Sequence, residues 1–292
     1  MFLQKQHKNN KNNFRYLYNI KKMKVEVPQI KLYNNRQIPQ FGLGVYQITD
    51  NNECEKVCLE AIKLGYRHID TAQIYGNEKA VGSAIKKSKI PREEFFITTK
   101  IWITDFSQGK ALKQVDEMLK RLDTNYIDLL LLHWPKNDYI SAYKDMEIAY
   151  DQGKVKSIGL SNFQEKHIKE ILKICKIKPC INQIELHPYG QRKEIVKLCQ
   201  ENNIKIEAWY PIAHGDTKLI NNELFNKLAK KYKKTNVQII LRWHIQKGFI
   251  IFPRTKKENH LKENINIFDF ELSNDEMKLI DSLDKNEIYV RW

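Results

Sequence analysis

The stretch "GLGVYQITDN", residues 42–51, decides between two architectures. An apolar run passes into a helical pattern with glycines at the junction, as it does where an open, doubly wound sheet binds a dinucleotide. That fold needs a third glycine so that the helix can pack close. Here Gly42 and Gly44 stand alone. The fingerprint fails, and the flanking sequence points elsewhere. With residues 41–48 as the first, eight apolar runs follow one another, the others being 66–72, 94–102, 126–134, 155–161, 180–186, 204–212 and 248–255. Segments with 3.6-residue periodicity lie between them, among them 52–65 and 109–123, and Gly65, Gly153 and Gly248 sit where helices should close. Strand then helix, repeated eight times in about 250 residues, predicts an α/β fold of the parallel (β/α)8 TIM-barrel type. Upstream, "QIKLYNNRQIPQ", residues 29–40, reads as a β-hairpin capping the N-terminal end of the barrel. Residues 1–23 are basic, Asn-rich and without an apolar core, and read as a disordered extension; the barrel is assigned to residues 24–292, ending in a short C-terminal tail, "NEIYVRW".

The formal charge of +15 invites a nucleic-acid reading, but its placement argues against one. Seven Lys or Arg and no acid occur by residue 25, leaving +8 spread over mixed-charge helices. No zinc-knuckle or RNA-binding aromatic signature accompanies it, and no apolar run approaches the ~18–20 residues that cross a bilayer. Neither nucleic acid nor membrane is expected as a partner. Cys54, Cys58, Cys175, Cys180 and Cys199 form an odd, scattered set, read as reduced thiols, with no metal site expected. A cytoplasmic location follows; organelle targeting by the basic extension is the alternative, and Met23 could serve as a second start.

In such a barrel the chemistry sits where strands end. The second run ends at Asp70, with Tyr75 in the loop after it; the third ends at Lys100 and the fourth at His133. Each alone has a plain explanation: a turn cap for Asp70, a lysine reaching water, a core histidine. Together, from three adjacent strands, they suggest a proton-transfer site. A phenol near ~10 is a poor acid at neutral pH, and a neighbouring ammonium is expected to lower it. A carboxylate holds that ammonium in place, and His133 can hydrogen-bond a substrate oxygen. Protonating a carbonyl oxygen is half of a reduction. No side chain supplies the hydride that completes it, so a nicotinamide is implied.

These residues also carry a resemblance. "GYRHIDTAQIYGNEKAVGSAI" (65–85), "MLKRLDTNYIDLLLLHWP" (118–135) and "FPRTKKENHLKEN" (252–264) resemble the three signatures of the aldo-keto reductases, supported by "SIGLSNF" and "INQIELHP". The likeness spans residues 30 to 285. It implies that Asp70, Tyr75, Lys100 and His133 form the catalytic tetrad of an NADP-dependent oxidoreductase that reduces aldehydes and ketones, Tyr75 giving the proton. It further implies that Ser161, Asn162 and Gln183 bind the nicotinamide carboxamide and that Trp209 stacks on its ring, a buried structural Trp being the alternative. Tyr210 departs from the small residue usual beside that position, which puts the local backbone in question. Arg254, Thr255 and His260 match the adenosine-phosphate site, and Glu263 and Asn264 the adenine side. With Arg254 in place of Lys and His260 in place of Arg, NADPH is expected as cofactor, with NADH discriminated against less strictly. Tyr46, Trp102, His133 and Trp134 match the substrate cleft. The short tail implies an open, permissive pocket for aldehydes, ketones or quinones, in a monomer. Some relatives instead serve as cofactor-binding regulatory subunits of membrane channels. On that alternative the basic extension would meet a partner.

Overall fold

The computed structural model describes residues 25–290, so the proposed extension at residues 1–23 lies outside the described residues. A two-stranded antiparallel hairpin comes first, β1 (Gln29–Lys31) and β2 (Gln37–Pro39), with Ile30 opposite Ile38. Eight parallel strands follow: β3 (Leu43–Gly44), β4 (His68–Asp70), β5 (Phe96–Ile101), β6 (Leu129–Leu132), β7 (Ile158–Ser161), β8 (Ile181–Glu185), β9 (Lys205–Trp209) and β10 (Ile250–Ile251). They lie side by side in sequence order, each within one of the eight apolar runs. The ends of the sheet meet: Gly42 N–H donates to Ile251 O at 2.8 Å, and Ile251 N–H to Gln40 O at 3.0 Å. The expected (β/α)8 barrel with its N-terminal hairpin is therefore present.

Between the strands run α1 (Asn51–Lys63), α2 (Glu78–Ser88), α3 (Lys110–Leu122), α4 (Tyr139–Asp151), α5 (Glu165–Ile174) and α6 (Lys193–Glu201). After β9 come α7 (Thr217–Ile220), α8 (Glu223–Tyr232) and α9 (Asn236–Gln246), and after β10 come α10 (Glu258–Ile265) and α11 (Asn274–Asp281). The 3.6-residue period of residues 235–248 marks one helix between β9 and β10, where the structure has three. The Asn221–Asn222 pair stops α7, and the Asn222 side chain accepts from Leu224 N at 2.9 Å to start α8. Caps are specific elsewhere too. Asp50 accepts from Glu53 N at 2.7 Å to start α1, and Thr235 with Gln238 forms a capping box on α9. Gly65, Gly153 and Gly248 have positive φ just past their helices, as expected.

Barrel strands are covered on both faces, so they read as continuous apolar runs rather than alternations. Leu130, Leu132, Ile158, Leu160, Ile184, Ile206 and Ala208 belong to the main core under the helices. The alternate positions Phe96, Leu129, Leu131, Ile181 and Ile250 form a separate cluster with Leu32 and Ile38, so the hairpin seals the barrel floor. Asn34 fixes its turn, donating to Lys156 O at 3.1 Å and Ser157 Oγ at 3.0 Å. Above this floor the inward positions become polar: His68, Thr98, Asp70, Lys100, Gln183 and Glu207 are all buried. All five cysteines are free thiols. Among the described residues no helix is long and apolar enough to cross a membrane, and no group of three or more His, Cys, Asp or Glu could hold a metal ion.

Candidate active site

β4 ends at Asp70, and the chain then makes a short 3-10 turn, Gln73–Tyr75, closed by Gly76 at φ 70°. A glycine suits that left-handed position because it has no Cβ to clash. Asn77 holds the loop from below: fully buried, it donates to Val45 O at 2.9 Å and Ile48 O at 3.1 Å and accepts from Thr71 Oγ1 at 2.7 Å. The turn thereby presents Tyr75 over the end of β5, where Lys100 points upward.

Lys100 is completely buried, and its three N–H donors are all engaged: Asp70 Oδ1 at 2.7 Å, Asp70 Oδ2 at 2.9 Å and Thr71 O at 2.9 Å. Its Nζ lies 5.1 Å from the centre of the Tyr75 ring. His133 stands 5.8 Å from Tyr75 and 5.1 Å from Trp102, both edge to face. The four proposed catalytic groups thus share one rim. Asp70, Tyr75 and His133 line a cleft of about 660 Å3, with Lys100 directly beneath.

The expected electrostatics need correction at Tyr75. Burial, together with the neighbouring Asp70 carboxylate, pushes the phenol well above its ordinary value rather than below it. Asp70 neutralises the ammonium that was expected to stabilise a phenolate. Burial also pushes Asp70 upward, Lys100 and Gln183 opposing it. His133 moves well below its ordinary 6.5 because it is buried beside Lys100, so it is a neutral imidazole. Its Nδ1 is buried without a partner among the described residues. A neutral imidazole carries one N–H and one lone pair, and with Nδ1 buried, Nε2 is the ring nitrogen left to meet a ligand in the cleft.

The same cleft is lined by Tyr46, Trp102 and Trp134 on one side and by Ser161, Asn162, Gln183, Trp209 and Arg254 on the other. Gln73 helps shape the first side, accepting from Trp102 N at 2.8 Å. On the second side the residues suit a nicotinamide dinucleotide. Trp209 is half-buried, and its Nε1 donates to Asn162 Oδ1 at 2.9 Å, which fixes the ring. Asn162 Nδ2 donates to His133 O and Ser161 Oγ, both at 3.1 Å, so this amide ties strand ends together. Gln183 directs Nε2 into the protein, and no hydrogen bond from the described residues reaches its Oε1, which leaves an acceptor for a cleft ligand. Beyond Arg254, Thr255 Oγ1 caps the turn by accepting from Lys257 N at 3.1 Å and lies 3.5 Å from His260 Nδ1. His260, Glu263 and Asn264 lie on α10, the first two exposed and Asn264 buried.

Three features go beyond the expected site residues, the first of them at the position whose backbone the sequence had put in question. Tyr210 takes φ 53°, a left-handed conformation costly for a bulky residue, and stands 4.7 Å from both Trp209 and His214 on the cleft wall. The C-terminal segment returns to the site: Tyr289 N and Val290 N donate to the Glu185 carboxylate at 2.6 and 3.1 Å, and Val290 lines the cleft. Glu207 lies in the barrel interior below Asp70; its sequence signal was a charge in the middle of a buried strand, "IKIEAW".

Comparison with known proteins gives one answer. The model of the aldo/keto reductase family matches residues 40–285. A glyoxal reductase of Bacillus subtilis is 44% identical over 259 residues, covering 88% of this chain and 93% of that one. An aldo-keto reductase enzyme from a Medee basin deep-sea metagenome library superposes with a TM-score of 0.88 at 41% identity, covering 90% of this chain and 97% of that chain. A Bombyx mori aldo-keto reductase in complex with NADP does so at 0.86 with 32% identity, covering 91% and 96%.

Proposed function

The chain belongs to the aldo/keto reductase family, and on that premise we propose that it reduces small aldehydes and ketones to alcohols with NADPH. The observation that carries this reading is the single cleft that brings Tyr75 and His133, over the Lys100–Asp70 pair, within reach of Trp209, Gln183 and Arg254. The nicotinamide, when bound, supplies the hydride. The protein's part is to orient the carbonyl and deliver a proton. His133 Nε2 donates a hydrogen bond to the carbonyl oxygen and holds it beside the Tyr75 hydroxyl. Tyr75, kept protonated by burial, gives its proton as charge develops on that oxygen. Lys100, fixed by Asp70, lies 5.1 Å from the centre of the ring and holds it in place.

Trp209 offers a face for the nicotinamide, Gln183 Oε1 and Ser161 its carboxamide partners, and Arg254 a guanidinium for the 2′-phosphate, with Thr255 and His260 beside it and Glu263 and Asn264 on the adenine side. Tyr46, Trp102 and Trp134 make the other wall aromatic, which suits compact carbonyl compounds. The relative named a glyoxal reductase makes glyoxal the first compound to try.

The test is to follow NADPH absorbance at 340 nm with glyoxal, a simple ketone and a quinone, and to repeat it with NADH. Turnover with NADPH is expected, slower with NADH. Tyr75→Phe should lower kcat by about a hundredfold to ten-thousandfold, the scale of general-acid contributions, while NADPH still binds. A Tyr75→Phe enzyme that keeps its turnover would overturn the proton-donor role.

A further inference from the structure

Glu207 is fully buried in the middle of β9, facing the barrel interior one layer below the catalytic rim, and no step above uses it. Its Oε2 accepts from Gln183 Nε2 at 2.8 Å, and the same nitrogen donates to Asp70 Oδ2 at 2.8 Å. An amide nitrogen has two N–H groups, so Gln183 Nε2 is saturated by two carboxyl groups on opposite sides. Turning the amide over would point its oxygen at the Asp70 carboxylate, which is repulsive, and would take both N–H groups away from these acceptors. Two acceptors below therefore set which atom of Gln183 is left above.

We propose that Glu207 is a positioning residue for the cofactor: with Asp70 it locks the Gln183 amide so that Oε1, and not Nε2, meets the nicotinamide carboxamide. This rests on the reading of Gln183 as a carboxamide partner. Asp70 alone leaves one N–H of Gln183 without an acceptor. The groups facing Glu207 support the assignment. Asp70 and Lys100 lie above it, as a mutually engaged pair. His68 on β4 brings Nε2 to 3.8 Å from Oε1, but this is not an ion pair. Burial pushes His68 down to about 3 and Glu207 up to about 8, so both are neutral near pH 7, and His68 Nε2 instead sits 3.1 Å from Thr98 Oγ1. Glu207 Oε1 has no hydrogen-bond partner among the described residues. Gln183 is therefore the one hydrogen-bonded partner of this acid among the described residues.

The experiment is a double-mutant cycle read by NADPH titration of protein fluorescence. Glu207→Leu should weaken NADPH binding about tenfold, the size of one orienting hydrogen bond, and Glu207→Gln, which keeps an oxygen acceptor, should restore it to within about twofold. In a Gln183→Ala background Glu207→Leu should cost nothing more. Two results overturn the proposal alone: Gln183→Ala weakens binding but Glu207→Leu does not, or Glu207→Leu costs as much with Gln183 absent as with it present. If Gln183→Ala binds NADPH like the wild type, the carboxamide reading of Gln183 fails and this proposal with it. Should Glu207→Leu not fold, Glu207→Asp, which keeps the acid but draws it back from Gln183, replaces it in every comparison.

Discussion

At the scale of single residues, burial rather than charge pairing dominates the site. His133 and Tyr75 are displaced in opposite directions by the same loss of water, one toward neutral imidazole and the other toward protonated phenol. Both are then in their reducing forms across neutral pH. An ordinary imidazole would gain charge as pH falls through 6.5; His133, held well below that, does not. The kcat/KM for carbonyl reduction is therefore expected to show no acid limb near 6.5, and a bell with an inflection there would contradict it. Glu207 has a stability consequence of its own. Its carboxyl is raised from 4.5 to about 8, so the folded state holds a proton that the unfolded chain has released, and stability falls as pH rises through that window. The loss approaches roughly 1.4 kcal/mol for each pH unit crossed. Glu207→Gln escapes it. Thermal melts should show the variant gaining on the wild type from pH 5 to 8, with the gap shrinking below 4.5. The buried charge in "IKIEAW" was visible in the sequence, but its partner was not, because Gln183 lies 24 positions away and meets it only through the pairing of β8 with β9.

At the scale of elements, the segments most fully announced by sequence are those whose ends are chemically marked. Asp50, Asn222, Thr235 and Ser273 start helices through their own side chains. Gly82 marks a contact rather than an end. A Cβ there would lie 2.3 Å from Leu122 O, so α2 can approach the close of α3 only because this residue lacks a side chain. Gly82→Ala gains about 1 kcal/mol of helix propensity, but the overlap is with backbone, which cannot turn aside as a side chain can. Overpacking of about 1–3 kcal/mol or more should win, and urea unfolding should show a net loss of stability. A neutral or stabilised variant would mean that α2 and α3 can part without cost. The 3.6-residue periodicity of residues 77–88 marks the helix. It carried no sign that Gly82 was a contact point, since the neighbour belongs to another unit.

At the scale of the whole molecule, the barrel is a cylinder sealed at one end and chemically active at the other. The floor is formed by the hairpin, whose Leu32 and Ile38 complete the cluster with Phe96, Leu129, Leu131, Ile181 and Ile250. Ile38→Ala opens a cavity in that seal and should cost about 2–5 kcal/mol, with kcat little changed, because the rim lies at the far end. A large fall in kcat at unchanged stability would show that floor and rim are coupled. The sequence by itself determined the eight strand–helix units, the hairpin and the identity of the residues at the strand ends, because periodicity and end chemistry are local properties written into neighbouring positions. Only the tertiary structure decided how those residues behave. Closing the sheet removed water from Tyr75, His133 and Glu207, set Gln183 between two carboxyl groups and brought Val290 back to the cleft. Desolvation and contact across a cylinder depend on residues far apart in the chain, and no local pattern records them.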